Sequence, residues 1–198
     1  INCHAGKLPF YRGRNVLNWV LINDESCFGI TVHYIDDGID TGDIICQQTY
    51  DINDNDNYKS LLEKAYIECP KILIKSIRLI FDGNVERIKQ KSISKSGMYC
   101  TKRICGDEII NWKQSSREIF NFIRALAEPG PCAVTKLDNQ KIYIQSAEIL
   151  DSSPKYKGIP GAILAKEGNN LFIKTLDSYI KITKWKSSRK LLVGMRLG

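Results

Sequence analysis

The spacing of apolar positions changes along the chain, and each change marks an element. INCH at the start is short and extended, a loop with Pro9 and Gly13 follows, and NVLNWVLIN (15–23) has the apolar content of a short helix. CFGITVHYI (27–35) is filled with β-branched and aromatic residues without polar alternation, which predicts a strand covered on both faces. DDGIDTGD (36–43) is a turn by composition, and IICQQTYDI (44–52) is a second strand. From Asp56 to Phe81, the residues Leu62, Tyr66, Cys69, Leu73, Ile77 and Ile80 recur at three- and four-residue spacing. This predicts a helix that buries that stripe, is capped at Gly83, and is kinked or split into two helices at Pro70. Strands followed by helices in this order read as the later part of an α/β sheet domain.

The polar stretch KQKSISKSG (89–97) reads as a linker, dividing the chain into domains 1–95 and 96–198. Beyond it the pattern changes. Ser115-Ser116-Arg117-Glu118 has capping-box spacing and opens the helix SSREIFNFIRALA, which Pro129-Gly130-Pro131 stops. Five short strands follow (CAVTKL, KIYIQSAEI, GAILAKE, LFIKTL, YIKITKW), with turns at Asp138-Asn139, Gly168-Asn169-Asn170 and Asp177-Ser178. This predicts a small, mostly β domain, a barrel of the oligonucleotide-binding (OB) type.

Composition narrows the classes. At 198 residues and 43% hydrophobic content the chain can bury a core, which excludes a disordered or fibrous protein. No apolar run reaches the roughly 20 residues of a bilayer span, since ILIKSIRLIF is broken by Lys75 and Arg78, so no membrane insertion is expected. The chain opens on Ile without a basic n-region or cleavage site, so we expect the natural N-terminus to lie further upstream. Seven scattered cysteines with no C-x-x-C pair, and only two histidines, point to free thiols in a reducing cytoplasm and to no metal site. Residues 1–95 carry 12 basic and 13 acidic side chains and residues 96–198 carry 17 and 9, or −1 and +8. The basic second half suits a polyanion, a phosphate-bearing small molecule or water, and charge alone does not choose among them.

The candidate chemistry lies near the N-terminus. Asn2 and His4 are two residues apart, so on an extended strand their side chains share one face. Asp40 sits in a glycine-flanked loop after the next strand, the kind of place where α/β domains build sites. Together they would suit acyl transfer: an amide for a developing oxyanion, an imidazole to move protons, a carboxylate to orient it. By residue type alone a structural role stays open, and Asp36, Asp37 and Asp43 equally suit turn formers. His33, inside an apolar strand, reads as a hydrogen-bonded core histidine.

Several words occur together in order: Asn2-Cys3-His4, Leu8-Pro9-Phe10-Tyr11-Arg12-Gly13-Arg14, Asn18-Trp19, Gly29 to His33, Asp36 to Asp43, then Ile110-Asn111-Trp112 and Ile123 to Pro131. Over nearly the whole chain they resemble the 10-formyltetrahydrofolate-dependent formyltransferases. The resemblance implies the C-terminal half of a Rossmann-like catalytic domain followed by an OB-like domain. It also implies 10-formyltetrahydrofolate as formyl donor, with no metal or covalent intermediate. Asn2 would stabilise the oxyanion, His4 act as acid/base and Asp40 hold His4. The loop Asp36, Asp37, Gly38, Ile39 to Asp40 would hold the pterin through backbone groups, and Arg14 matches a position associated with the folate. Relatives supply part of the folate site from residues upstream of the N-x-H strand, so these 198 residues alone are expected to bind folate poorly and turn over little. His4-Ala5-Gly6-Lys7-Leu8-Pro9 and Arg14-Asn15 differ from the words usual in the methionyl-tRNA branch and favour the sugar-modifying branch, aminoarabinose formyltransferases included. There the partner would be an amino-sugar nucleotide, with Lys7, Tyr11 and Arg12 as contacts to it. Methionyl-tRNA is the alternative acceptor, and a non-enzymatic nucleic-acid-binding remnant is the reading from another class.

Overall fold

The computed structural model describes residues 1–150 and 152–198, which fall into two compact units: Ile1–Val20 with Glu25–Ile104, and Leu21–Asp24 with Cys105–Gly198. The first unit is built on an antiparallel sheet of β1 (Asn2–His4), β3 (Cys27–His33) and β4 (Ile44–Asp51), with β3 in the middle. Phe28, Ile30 and Val32 of β3 are at most 1% exposed, and Thr31 and His33 on the opposite face are buried too, so the absence of polar alternation did signal a doubly covered strand. A two-residue parallel ladder joins β2 (Arg12–Gly13) to β5 (Tyr99–Cys100). The short helix α1 (Val16–Ile22) lies where the apolar run predicted it.

Helix α2 (Tyr58–Phe81) starts at a capping box in which Asn57 Oδ1 accepts from the Ser60 N–H and Ser60 Oγ accepts from the Asn57 N–H. It ends as expected at Gly83, whose φ of 69° and N–H to the Ile80 carbonyl close the last turn. Two expectations fail. Of the two alternatives at Pro70 the split fails, since Pro70 lies inside one helix; the Tyr66 carbonyl that loses its donor is on an exposed residue, where water can replace the lost bond. The buried stripe is also turned by about one residue: Leu61, Ala65, Ile72 and Ser76 are inside, whereas Tyr66 is 70% exposed. Apolar residues stand side by side in this helix, so periodicity alone left two adjacent stripes nearly equal. Ala65 and Ser76 decide it, because small residues let the helix approach the sheet, and Ser76 Oγ donates to the Ile72 carbonyl to satisfy itself.

The stretch 89–97 is more than a connector. It holds a short helix α3 (Gln90–Ile93), and Gln90 is 3% exposed.

In the second unit α4 (Ser116–Ala125) begins with the predicted capping box, Ser115 with Glu118, and packs on the sheet through Ile119, Ile123 and Leu126. That sheet is antiparallel with order β6-β7-β10-β9-β8, from β6 (Ala133–Leu137), β7 (Gln140–Glu148), β8 (Ile163–Glu167), β9 (Asn170–Lys174) and β10 (Tyr179–Lys186). The β6–β7 hairpin turns on Asp138 and Asn139, both at positive φ, as a tight two-residue turn requires. Ile142, Ile144, Ile173, Ile180 and Ile182, from three strands of this sheet, belong to the unit's core, each worth about 1.5–3 kcal/mol of burial.

Candidate active site

The register of two strands assembles most of the site. β1 runs antiparallel to β3 with Asn2 opposite His33, Cys3 opposite Val32 and His4 opposite Thr31. Directly opposed residues project from the same face, so Asn2, His4, Thr31 and His33 share one side of the sheet, and Cys3 takes the other. There the Cys3 thiol donates to the Cys69 carbonyl at 3.7 Å. Hydrogen bonding with Cys69, aided by burial, holds the Cys3 thiol above its ordinary range.

Asp40 enters this face from the loop between β3 and β4, whose ends are closed by the Tyr34 N–H to the Asp43 carbonyl at 2.9 Å. Its φ of 54° lies in the left-handed region, which Asp tolerates better than most residues. One carboxylate oxygen accepts from the Gly13 N–H at 2.8 Å and lies 3.6 Å from His4 Nδ1. The other lies 3.3 Å from Asn2 Nδ2 and 3.4 Å from His33 Nε2. His4, Asp40 and His33 side chains are 9%, 12% and 3% exposed, so these contacts act where water screens them little.

Each imidazole is held at one nitrogen. His4 Nε2 donates to the Tyr11 carbonyl at 2.7 Å, leaving Nδ1 toward Asp40. Tyr11 presents that carbonyl from a left-handed φ of 56° and is held by its own hydroxyl, which donates to Glu25 at 2.6 Å. Gly6 is required beside them, because a Cβ there would run into both the His4 ring and the Tyr11 carbonyl. His33 Nδ1 donates to the Tyr34 carbonyl at 2.7 Å, so its Nε2 accepts from Asn2 Nδ2 at 3.2 Å. Both amide hydrogens of Asn2 therefore point inward, through bonds of 3.2 and 3.3 Å that are long for this kind of donor.

The other residues singled out by sequence are dispersed around this cluster. Lys7, Phe10, Tyr11, Glu25 and Met98 line a cleft of about 190 Å³ in the first unit, with Lys7 exposed. Arg12 is 9% exposed: its Nε and Nη2 donate to Gln90 Oε1 at 3.0 and 2.6 Å, and its guanidinium lies 5.3 Å from the Tyr99 ring centre. Arg14 is exposed. Asp36, Asp37, Gly38 and Ile39 form the outer, exposed part of the loop, with Asp36 Oδ1 accepting from the Thr41 hydroxyl at 2.5 Å and the Gly38 N–H at 3.2 Å. The Thr41 bond, with help from the Gly38 bond, lowers the Asp36 pKa below the usual carboxylate value.

An N-x-H strand, a carboxylate loop and a second β-rich unit stand in the order of one family: the profile "Formyl transferase" matches residues 1–77, and "Formyl transferase, C-terminal domain" matches residues 105–196. The chain belongs to the formyl transferase family. A methionyl-tRNA formyltransferase of Thermodesulfovibrio yellowstonii is 35% identical to this formyl transferase chain over 182 residues, covering 92% of it and 56% of the relative. The bifunctional polymyxin resistance protein ArnA of Wigglesworthia glossinidia brevipalpis is 39% identical over 163 residues, 82% of this chain and 24% of that protein. The crystal structure of an N-formyltransferase from Helicobacter canadensis, in complex with folinic acid and dTDP-3-aminofucose, superposes with a TM-score of 0.72 at 27% identity, over 93% of this chain and 65% of the other. The chain thus spans about half the length of the methionyl-tRNA formyltransferase it matches, 56%. The formyl transferase fold, with a Rossmann-like first domain and the family's C-terminal domain, accounts for both units.

Two residues of the cluster were not singled out. His33 is buried and hydrogen-bonded, as read from its apolar strand, but it also faces Asn2 and Asp40; with the register of β1 on β3 known, its placement opposite Asn2 would have revealed it. Gln90 sits in a stretch whose polarity reads as a connector, and no local signal distinguishes it.

Proposed function

We propose that this chain carries the reacting centre of an enzyme that transfers a formyl group from 10-formyltetrahydrofolate to the primary amine of an amino-sugar nucleotide. The observation that carries this reading is the convergence of Asn2, His4 and Asp40, from sequence positions 38 apart, on one buried face of the sheet. In the reaction the acceptor's C–N bond forms, the bond from the formyl carbon to the folate N10 breaks, the amine loses a proton and N10 gains one. Asn2 stabilises the charge that develops on the formyl oxygen by turning one amide hydrogen outward, exchanging a long internal bond for a better one. His4 takes and returns the proton at Nδ1, the nitrogen left free by the Tyr11 carbonyl, and Asp40 faces that nitrogen and stabilises the charged ring. The exposed outer loop, Asp36 to Ile39, offers backbone groups suited to hydrogen-bonding the pterin, and the exposed Arg14 suits a contact to the folate.

The cleft lined by Lys7, Phe10 and Tyr11 supports a nucleotide-sugar acceptor, because it joins an exposed cation and aromatic surface in the loop that follows His4. Arg12 is set apart from Lys7 and Tyr11, since its guanidinium is buried and engaged with Gln90. A second reading, methionyl-tRNA as acceptor, is favoured by the 35% identity over 92% of the chain to a methionyl-tRNA formyltransferase. We read the second unit as OB-like from its five antiparallel strands and the helix packed on them, and the protein as cytoplasmic from its free thiols. No helix among the described residues is long and apolar enough to cross a membrane.

The test uses the complete polypeptide that carries these residues, incubated with 10-formyltetrahydrofolate and either a dTDP-linked amino sugar or methionyl-tRNA. A formylated sugar is expected, and His4→Ala should lower kcat by about 10²–10⁴. Formylation of tRNA alone would select the second reading. Turnover unchanged by His4→Ala would remove the assignment.

A further inference from the structure

Gln90 grips the Asp40 loop by its main chain. Its Nε2 donates to the Asp40 carbonyl and to the Gly42 carbonyl, each at 2.8 Å, so one side-chain amide spans the backbone on both sides of Thr41. Its Oε1 takes the fork of Arg12, and Arg12 is in turn enclosed: a Cβ on Gly97 would strike its guanidinium, and Nη1 reaches the Tyr99 hydroxyl at 3.3 Å. Every hydrogen-bonding atom of the Gln90 amide is thus used, in a residue 3% exposed. The approach is fixed by paired bonds between Ile44 and Ile88, N–H to carbonyl in both directions at 2.8 and 3.0 Å. Gly42 fits there because any side chain would collide with the Tyr34 carbonyl. Arg12 precedes Gly13, whose N–H holds the Asp40 carboxylate. One short strand therefore fixes Asp40 twice, by its side chain directly and by its main chain through Gln90.

We infer that Gln90 is a positioning residue for the transfer reaction, holding the Asp40 main chain so that the carboxylate meets His4 and Asn2, with Arg12 as the anchor of Gln90. This rests on the functional reading given above, and it assigns a role to a segment between the stretches matched by the two family profiles, residues 1–77 and 105–196. A rigid hold is needed because Asp40 sits at left-handed φ in a loop whose outer residues are exposed, and displacing a catalytic group by about 1 Å costs on the order of 10² in rate.

The test compares Gln90→Glu and Gln90→Ala in the complete polypeptide. Glu keeps, and electrostatically strengthens, the anchor to Arg12 but sets an acceptor against the two carbonyls; Ala removes both ends. We expect Gln90→Glu to fold with a Tm near the parent's, to lose about 10–100-fold in kcat with acceptor KM within about threefold, and to show faster hydrogen–deuterium exchange over residues 36–43. Gln90→Ala should show the same kinetic split together with a lower Tm. A merely structural role predicts the opposite: Gln90→Ala loses Tm while kcat, measured well below Tm, and exchange over 36–43 stay at the parent values, and that result overturns the inference. Should the parent protein formylate neither acceptor, the functional reading fails by itself, while the exchange measurement still decides whether Gln90 holds the loop.

Discussion

Gly6→Ala tests the close packing that holds the His4 ring against the Tyr11 carbonyl. The φ of Gly6 is not in the left-handed region, so the substitution carries no backbone penalty; its effect comes from a methyl group placed against the His4 imidazole and the Tyr11 carbonyl. The methyl presses on both partners of one hydrogen bond, so ring and carbonyl must be pushed apart, lengthening the 2.7 Å bond that fixes the ring. Overpacking of this kind costs about 1–3 kcal/mol, and weakening a buried hydrogen bond a further 1 kcal/mol or so. In a chain of this size that corresponds to a Tm loss of roughly 4–16 °C. A ring displaced by about 1 Å should lose about 10² in kcat. Gly83→Ala is the matched comparison: its φ of 69° strains an alanine, but nothing lies within 4 Å of the new methyl. It should cost about 1 kcal/mol in stability and leave kcat unchanged. Calorimetry and formyl-transfer kinetics on the two variants decide the matter. If Gly6→Ala keeps kcat within about twofold and loses no more Tm than Gly83→Ala, the close packing of Gly6 is not what orients His4.

Two predictions concern the second unit. Lys174 is fully buried, and its ammonium donates to the carbonyls of Tyr156, Thr175 and Ser178 at 2.7, 2.9 and 2.9 Å, while burial pulls its pKa down. Lys174→Met keeps the stem but strands these acceptors, and should cost about 2–4 kcal/mol in chemical denaturation; a midpoint equal to the parent's would mean that water replaces the ammonium. Acid should also unfold this unit. Asp24 is lowered chiefly by its hydrogen bonds from Arg117, and Glu118 by the Ser115 hydroxyl. Burial pushes Asp177 up, but bonds from the Ser116 N–H and the Thr175 hydroxyl outweigh it and leave it lowered. Because these carboxyls sit below their unfolded values of about 4, their stabilisation is complete above that pH and disappears as pH falls through the folded values. Tm measured from pH 7 to 3 should fall most steeply below about pH 4, and Asp24→Asn should flatten that slope; an unchanged slope would exclude the Asp24–Arg117 pair as its source.

What the chain alone made readable is what neighbouring residues decide. The capping box at Ser115 and Glu118, the Asp138-Asn139 turn, the doubly buried strand around Ile30 and the shared face of Asn2 and His4 all follow from contacts within a few positions, where backbone geometry leaves little freedom. Motif order carried the identification of the family further than any single residue could. The buried face of α2 lay beyond this reach, because adjacent apolar stripes differ only in what they meet across the sheet. So did His33 and Gln90: one comes opposite Asn2 across 31 positions, the other reaches Asp40 across 50. Such meetings depend on strand register and on where a connection folds back, and neither leaves a periodic mark in the sequence. Asn2, His4 and Asp40 could be proposed from the sequence, and the fold brings them together. How Asp40 is held, and that His33 completes their face, was decided only when the chain closed on itself.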